Sequence, residues 1–211
     1  FDFVERPDGW DYLGLGSRRR ELPLPALAGS MQLANAATAL AVLEAAEPGL
    51  LVPDDAARAG LARVLLPGRF QVVSKDPEWI LDVAHNPDAA RVLAASLAAR
   101  QTRGRTVAVC GILADKDIDG IVLALRSQVQ EWVAVRLDEP RSLPESELAA
   151  RIALRTGAPV SAAASVAAGC EHAAAACGEG DRILVFGSFH TVGPALVHLG
   201  LQFDRNGRQD S

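Results

Sequence analysis

Hydrophobic and polar positions change rhythm part-way along this chain. Up to about residue 66 apolar residues come in short mixed runs, whereas beyond it compact strand-like apolar blocks alternate with longer stretches of helical period. Phe1 to Glu5 and Trp10 to Leu15 flank the turn-forming Pro7-Asp8-Gly9 and predict a β-hairpin. Arg18-Arg19-Arg20 then reads as a solvated loop. Ser30 is placed to cap a helix running to about Ala46, with Leu33, Ala36, Ala37, Leu40 and Leu43 on one face. A second helix is expected from Asp54 or Asp55 to about Val64, ending at Leu66-Pro67-Gly68. Proline and glycine stop it there and strand-type sequence follows at once, so the boundary between a first domain (1–66) and a second (67–211) falls at Pro67-Gly68.

Beyond the boundary, strands are expected at Phe70 to Ser74, Ile80 to Ala84, Thr106 to Gly111, Trp132 to Leu137, near Val160, and at Arg182 to Phe186. Helices are expected at Pro87 to Ala99, Ile118 to about Gln130, Pro144 to Arg155, Val166 to Cys177, and about Val192 to Leu199. That alternation predicts an α/β fold: a Rossmann-like, mostly parallel, doubly wound sheet with helices on both faces. The first two strands are too close in sequence for a helical crossover, so one of them runs antiparallel to its neighbours. Asp204 to Ser211 reads as a polar, frayed tail.

The strand–helix junctions carry the polar residues of interest. Ile80, Leu81 and Val83 lead into Asp82, His85 and Asn86-Pro87, where Asn86 reads as an N-cap and Pro87 as the first helical residue. Ligands of open α/β sheets bind at this carboxyl edge, although an isolated D-x-x-H also serves simply to cap and close a turn. Thr106 to Gly111 runs into Ile112-Leu113-Ala114-Asp115-Lys116-Asp117, and Ile183 to Phe186 into Gly187-Ser188-Phe189-His190-Thr191. Three carboxyl ends are thus expected to converge on one crevice. Lys116 either serves a ligand there or pairs with Asp115 or Asp117. Asn35, off the apolar stripe of its helix, is either an ordinary exposed residue or a bidentate amide.

Composition narrows the picture. Hydrophobic residues make up 49% and charged residues 22%, which suits a packed core. A net charge of −5 provides no electrostatic footprint for nucleic acid or an anionic membrane. Among 21 basic residues only Lys75 and Lys116 are lysines, which singles out Lys116 further. Cys110, Cys170 and Cys177 are odd in number and lack C-x-x-C spacing, against a disulfide framework or a zinc site and in keeping with a reducing cytoplasm. No apolar run is long enough to span a bilayer, and a monomer is expected. The sequence contains no G-x-x-x-x-G-K-[ST], no G-x-G-x-x-G after a strand and no G-x-S-x-G. Gly14-Leu15-Gly16 reads as a turn. His190 and His198 are poorly spaced for a metal and Cys170-x-His172 sits in an alanine-rich stretch, so structural roles are expected for them.

Together, Leu66-Pro67-Gly68-Arg69-Phe70, Asp82-Val83-Ala84-His85-Asn86-Pro87, Gly111 to Asp117, and Phe186-Gly187-Ser188-Phe189-His190-Thr191 resemble the C-terminal half of bacterial folylpolyglutamate synthases. The bifunctional dihydrofolate synthase/folylpolyglutamate synthases of the Mur ligase superfamily are the nearer likeness, and Gln32 to Leu40 extends it into the first domain. The resemblance implies that 1–66 is the C-terminal part of a central ATPase domain and 67–211 a glutamate-ligase domain. It implies a cytoplasmic enzyme of folate biosynthesis and one-carbon metabolism, in which ATP phosphorylates a carboxylate of dihydropteroate or a folate and L-glutamate attacks the acyl phosphate. By the same resemblance Asn35, Arg69 and Asp82 match ATP-contacting positions. His85, Lys116 and Ser188 match positions that hold the incoming amino acid, with Arg69, His85 and Lys116 catalytic. Met31 stands where many relatives have histidine. The family's phosphate loop and Mg²⁺ ligands belong to an N-terminal half, so the chain is expected to be a fragment that binds no metal itself and is inactive alone. Another Mur-type amide ligase, or a non-catalytic nucleotide- or amino-acid-binding module, remains the alternative reading.

Overall fold

Three antiparallel strands open the chain: β1 (Asp2–Arg6), β2 (Gly9–Leu13) and β3 (Arg18–Leu22), in the order β1-β2-β3. They are followed by α1 (Gln32–Ala46) and α2 (Asp54–Arg63). The computed structural model describes residues 1–29, 31–46 and 52–201. Its chain divides into two compact units, Phe1–Leu66 and Pro67–Ser211. The Ser30 cap and the tail from Asp204 expected above lie outside the described residues.

In the first unit Trp10, Tyr12 and Leu22 pack with Ala36, Ala37, Leu40, Ala41 and Ala57. The hairpin forms as its turn residues dictate, Arg6 pairing with Gly9 across Pro7-Asp8, and Gly14 donates to the Ser17 carbonyl in the turn at Gly14-Leu15-Gly16. Arg18-Arg19-Arg20 is strand, not loop. Pairing of Leu13 with Arg18 and Tyr12 with Arg19 satisfies its backbone, and Arg19 reaches Asp54 at 2.7 Å and the Val52 carbonyl at 2.7 Å. Leu43 also departs from expectation and is exposed. The adjacent Glu44 is held by the Tyr12 hydroxyl at 3.0 Å, which rolls the buried stripe of α1 toward Ala37 and Ala41 and turns Leu43 outward.

The second unit holds β4 (Gln71–Lys75), β5 (Glu78–Asp82), α3 (Pro87–Ala99), β6 (Thr106–Cys110), α4 (Ile118–Leu125), β7 (Glu131–Val135), α5 (Glu145–Thr156), β8 (Val160–Ala163), α6 (Val166–Ala176), β9 (Arg182–Phe186) and α7 (Phe189–His198). Among the described residues they build a six-stranded sheet of order β4-β5-β9-β6-β7-β8. β4 is antiparallel to β5, as its short connection requires, and the other pairs are parallel.

Strand alternation divides the core in two. Ile80, Ala108, Cys110, Trp132, Leu184 and Phe186 face one side with Leu93 and Leu97 of α3, Ile118 and Ile121 of α4, and Leu148 and Ile152 of α5. Leu81, Val107, Val109, Val133, Ile183 and Val185 face the other with Cys170 of α6 and Val192 and Ala195 of α7. Each fully buried large aliphatic side chain contributes about 1.5–3 kcal/mol. The strands therefore read as continuous apolar blocks because both faces are covered.

Two helix limits differ from expectation. α4 stops at Leu125 instead of continuing to Gln130, because Gln130 leaves the helical path to bracket Thr106: its amide donates to the Thr106 carbonyl and its side-chain oxygen accepts the Thr106 N–H at 2.8 Å. α7 begins at Phe189, earlier than the pattern suggested. Ser188 is extended and its hydroxyl accepts the His190 N–H at 3.2 Å, while Pro194, which resembles a first-turn residue, lies inside the helix.

Candidate active site

The loops after β5, β6 and β9 are neighbours because β9 lies between β5 and β6. They enclose a pocket of about 190 Å³ lined by His85, Leu113, Lys116, Gly187, Ser188, Phe189 and His190. This is below the roughly 300–1,000 Å³ of pockets that hold drug-sized ligands and suits an amino acid. His85, Lys116 and Ser188 are thus brought together.

Each is positioned by local backbone chemistry. Asn86 accepts the Ala89 N–H at 2.8 Å and caps α3, with Pro87 at its first position. His85, just before that cap, is exposed, and its Nδ1 lies 2.9 Å from the Val83 carbonyl. Lys116 Nζ lies 3.3 Å from Asp115, whose carboxylate Arg141 also approaches at 3.2 Å. Lys116 with Arg141 holds the Asp115 carboxyl below its usual range. The pairing reading of Lys116 therefore holds in this structure without removing the lysine from the pocket. Asp117 caps α4 by accepting the Gly120 N–H at 2.9 Å. The buried Thr191 hydroxyl donates to the Gly111 carbonyl at 2.9 Å and so ties the first turn of α7 to the end of β6. Gly187 has φ +134, and a Cβ there would stand 2.2 Å from the Gly111 oxygen.

Asp82 and Arg69 occupy the end of β5 and the approach to β4. The Asp82 carboxylate accepts the Phe70 N–H at 2.8 Å with one oxygen and the Ala84 N–H at 2.8 Å with the other. Burial pushes its carboxyl above the usual range, against those two N–H groups and the Arg69 charge, which pull it down. Asp82 therefore does close the turn, yet a carboxylate has about four lone-pair sites and each oxygen retains one. Arg69 is exposed, and its guanidinium has no hydrogen-bond or ion-pair partner among the described residues. In the first unit Asn35 is exposed on α1, donating to Gln32 Oε1 at 3.3 Å.

His190 is a pocket residue that the spacing argument passed over. Its Nδ1 lies 2.8 Å from Glu139 Oε1, on the loop after β7. A single sequence carries no signal linking those two positions; the hint it offers is that His190 follows a strand end. Among the described residues no group of three or more His, Cys, Asp or Glu is arranged to hold a metal ion, and all three cysteines are free thiols.

A family model described as the Mur ligase, glutamate ligase domain matches residues 68–189. The chain belongs to the Mur ligase family. The Mur ligase chain is 42% identical over 183 residues to the dihydrofolate synthase/folylpolyglutamate synthase of Escherichia coli, covering 87% of itself and 41% of that relative. It superposes with a TM-score of 0.83 at 38% identity on E. coli FolC in complex with DHPP and ADP, over 94% of itself and 45% of that chain. A bifunctional folylpolyglutamate synthase/dihydrofolate synthase with Mn, AMPPNP and L-glutamate bound gives 0.82 at 39% identity, over 94% and 46%. The Mur ligase chain thus spans less than half the length of the relatives it matches.

Proposed function

We propose that this chain supplies the glutamate-handling part of an ATP-dependent ligase that joins L-glutamate to dihydropteroate, to the γ-carboxylate of folates, or to both, through an acyl phosphate. The observation that carries this reading is the pocket in which His85, Lys116 and Ser188 meet inside a matched glutamate ligase domain. In this reading the first unit is the C-terminal part of a central ATP-binding domain and the second is the glutamate-ligase domain. Lys116 exchanges Asp115 for a glutamate carboxylate, a point charge meeting a charge, while the Ser188 hydroxyl and the His85 Nε2 complete the amino-acid site.

Arg69, whose fork of donors has no partner among the described residues, meets ATP phosphate oxygens. Asp82 uses its remaining lone pairs toward ribose hydroxyls, and Asn35 offers an amide to the base or a phosphate. The relatives' complexes with ADP and with Mn and AMPPNP support a nucleotide and a divalent cation for the intact enzyme. The described residues do not fit a metal site, so no step is assigned to a cation held by this chain. Nor does the sequence contain a phosphate-cradling G-x-x-x-x-G-K-[ST] loop, and the chain alone is expected not to turn over. The cytoplasm is the compartment that keeps three free thiols reduced, and the working unit is taken as a monomer.

The test is a chimaera in which this chain replaces the matching part of the E. coli relative. ADP release should require both L-glutamate and dihydropteroate or a folate. Release that requires a muramyl-peptide acceptor instead would move the chain to another branch of the family. Nucleotide and glutamate binding without ADP release would make it a non-catalytic module.

A further inference from the structure

We infer that His190, oriented by Glu139, accepts the proton that the incoming α-ammonium must lose before it attacks. This inference rests on the ligase reading above and adds a residue and a step to it. An ammonium has no lone pair, so an amine-transfer site needs a proton acceptor within reach of the bound amino acid. His190 lines the same pocket as His85, Lys116 and Ser188. Its Nδ1 is 2.8 Å from Glu139 Oε1, and a carboxylate acceptor there fixes the hydrogen on Nδ1 and leaves the Nε2 lone pair as the base.

His85, the other imidazole of the pocket, has its Nδ1 on the Val83 carbonyl at 2.9 Å. A neutral carbonyl orients a ring but does not offset an imidazolium charge, whereas the Glu139 carboxylate does both. The charged and titratable groups that share a cavity lining with His190 are Arg136, Asp138 and Glu139 from the loop after β7, and His85 and Lys116 from the loops after β5 and β6. The extended Ser188, whose hydroxyl accepts the His190 backbone N–H, fixes where the ring begins.

The step balances as follows. Nε2 takes one proton from the ammonium, giving imidazolium and a neutral amine. The amine lone pair forms the C–N bond, the C–O bond to phosphate breaks, and the second nitrogen proton leaves with the phosphate. The imidazolium, on a half-exposed ring, returns its proton to solvent.

The chimaera tests this with two nucleophiles. Hydroxylamine, already unprotonated at neutral pH, traps an acyl phosphate as hydroxamate without needing a base. His190→Gln should lower kcat for glutamate ligation about 10²–10³-fold, change the glutamate KM less than threefold, and leave hydroxamate formation at the wild-type rate. Glu139→Gln should lower ligation in the same direction by a smaller factor. His85→Gln, by contrast, should chiefly raise the glutamate KM. Wild-type ligation by His190→Gln overturns the proposal, and so does an equal loss of ligation and hydroxamate. If the unaltered chimaera forms no ATP-dependent hydroxamate, the ligase reading itself fails and the proton-acceptor role falls with it.

Discussion

Phe70 and Glu21 are the non-glycine residues with left-handed backbone among those described, at φ 44 and 55, and an aspartate accepts the N–H of each: Asp82 for Phe70 and Asp11 for Glu21. Such a conformation costs of order 1–3 kcal/mol, so each carboxylate holds a strained turn in place. Next to Phe70, the Arg69 guanidinium has no hydrogen-bond partner among the described residues. Arg69→Ala should lower kcat/KM for ATP in the chimaera about 10–100-fold, the size of a lost charge-assisted hydrogen bond of about 1.5–3 kcal/mol, with the urea midpoint unchanged; steady-state kinetics at varied ATP read it. Gly187 and Gly157 both have positive φ, but a Cβ at Gly157 meets nothing within 4 Å, whereas one at Gly187 meets the Gly111 oxygen. Gly157→Ala should therefore cost about 1 kcal/mol, and Gly187→Ala about 3 kcal/mol from strain plus overpacking. Urea unfolding of the two variants compares them directly.

At the level of elements, the edge of the sheet opposite the pocket is fastened by charge. Glu78 opens β5 and lies beside Arg182, which opens β9; Arg182 Nε approaches at 2.9 Å and Arg100 at the end of α3 at 2.6 Å. Burial pushes the Glu78 carboxyl up, but the hydrogen bonds from Arg100 and Arg182 outweigh it and hold the carboxyl below its usual 4.5. A depressed folded value means stability that is fully present above about pH 4.5 and is lost as pH falls through the folded value. The urea midpoint of the second unit should fall on acidification below that point, and Glu78→Gln should both lower the neutral-pH midpoint and flatten the slope. Elements also show what the sequence makes legible. Strands such as Arg182 to Phe186 and the helix from Pro87 to Ala99 announce themselves through apolar blocks and the Asn86-Pro87 start. β3 does not, since Arg18 and Arg20 are exposed and only Arg19 is half-buried, where β2 pairs with it and Asp54 receives its guanidinium. Likewise the ends of α4 and α7 depend on Thr106 and Ser188, partners and backbone angles that no local pattern encodes.

For the whole molecule, the two units bury tryptophan separately: Trp10 in the first, Trp79 and Trp132 in the second. The first unit has fewer residues from which to build a core, and small cores are marginal. Trp10 fluorescence, isolated by Trp79→Phe with Trp132→Phe, should therefore change at lower urea than the signal that remains in Trp10→Phe. A single shared midpoint would show that the units unfold together. The site is legible to a different degree from the fold. Asp82, His85, Lys116 and Ser188 stand at strand ends, where chemistry is anticipated from topology alone. The Glu139–His190 pair joins the loop after β7 to the first turn of α7, and only the assembled sheet brings the two within 2.8 Å.

The sheet order β4-β5-β9-β6-β7-β8 places in the middle the strand that is made last among those described. Until residues 182–186 leave the ribosome, β5 and β6 have no shared neighbour, and the nascent chain carries two unfinished sheets, each with an open apolar edge. A translation product stopped before Arg182 would present those edges to the cell, a substrate for chaperones and proteases rather than a shorter folded domain. The pocket is assembled in the same event that closes the sheet, so its loops come together only when the core does.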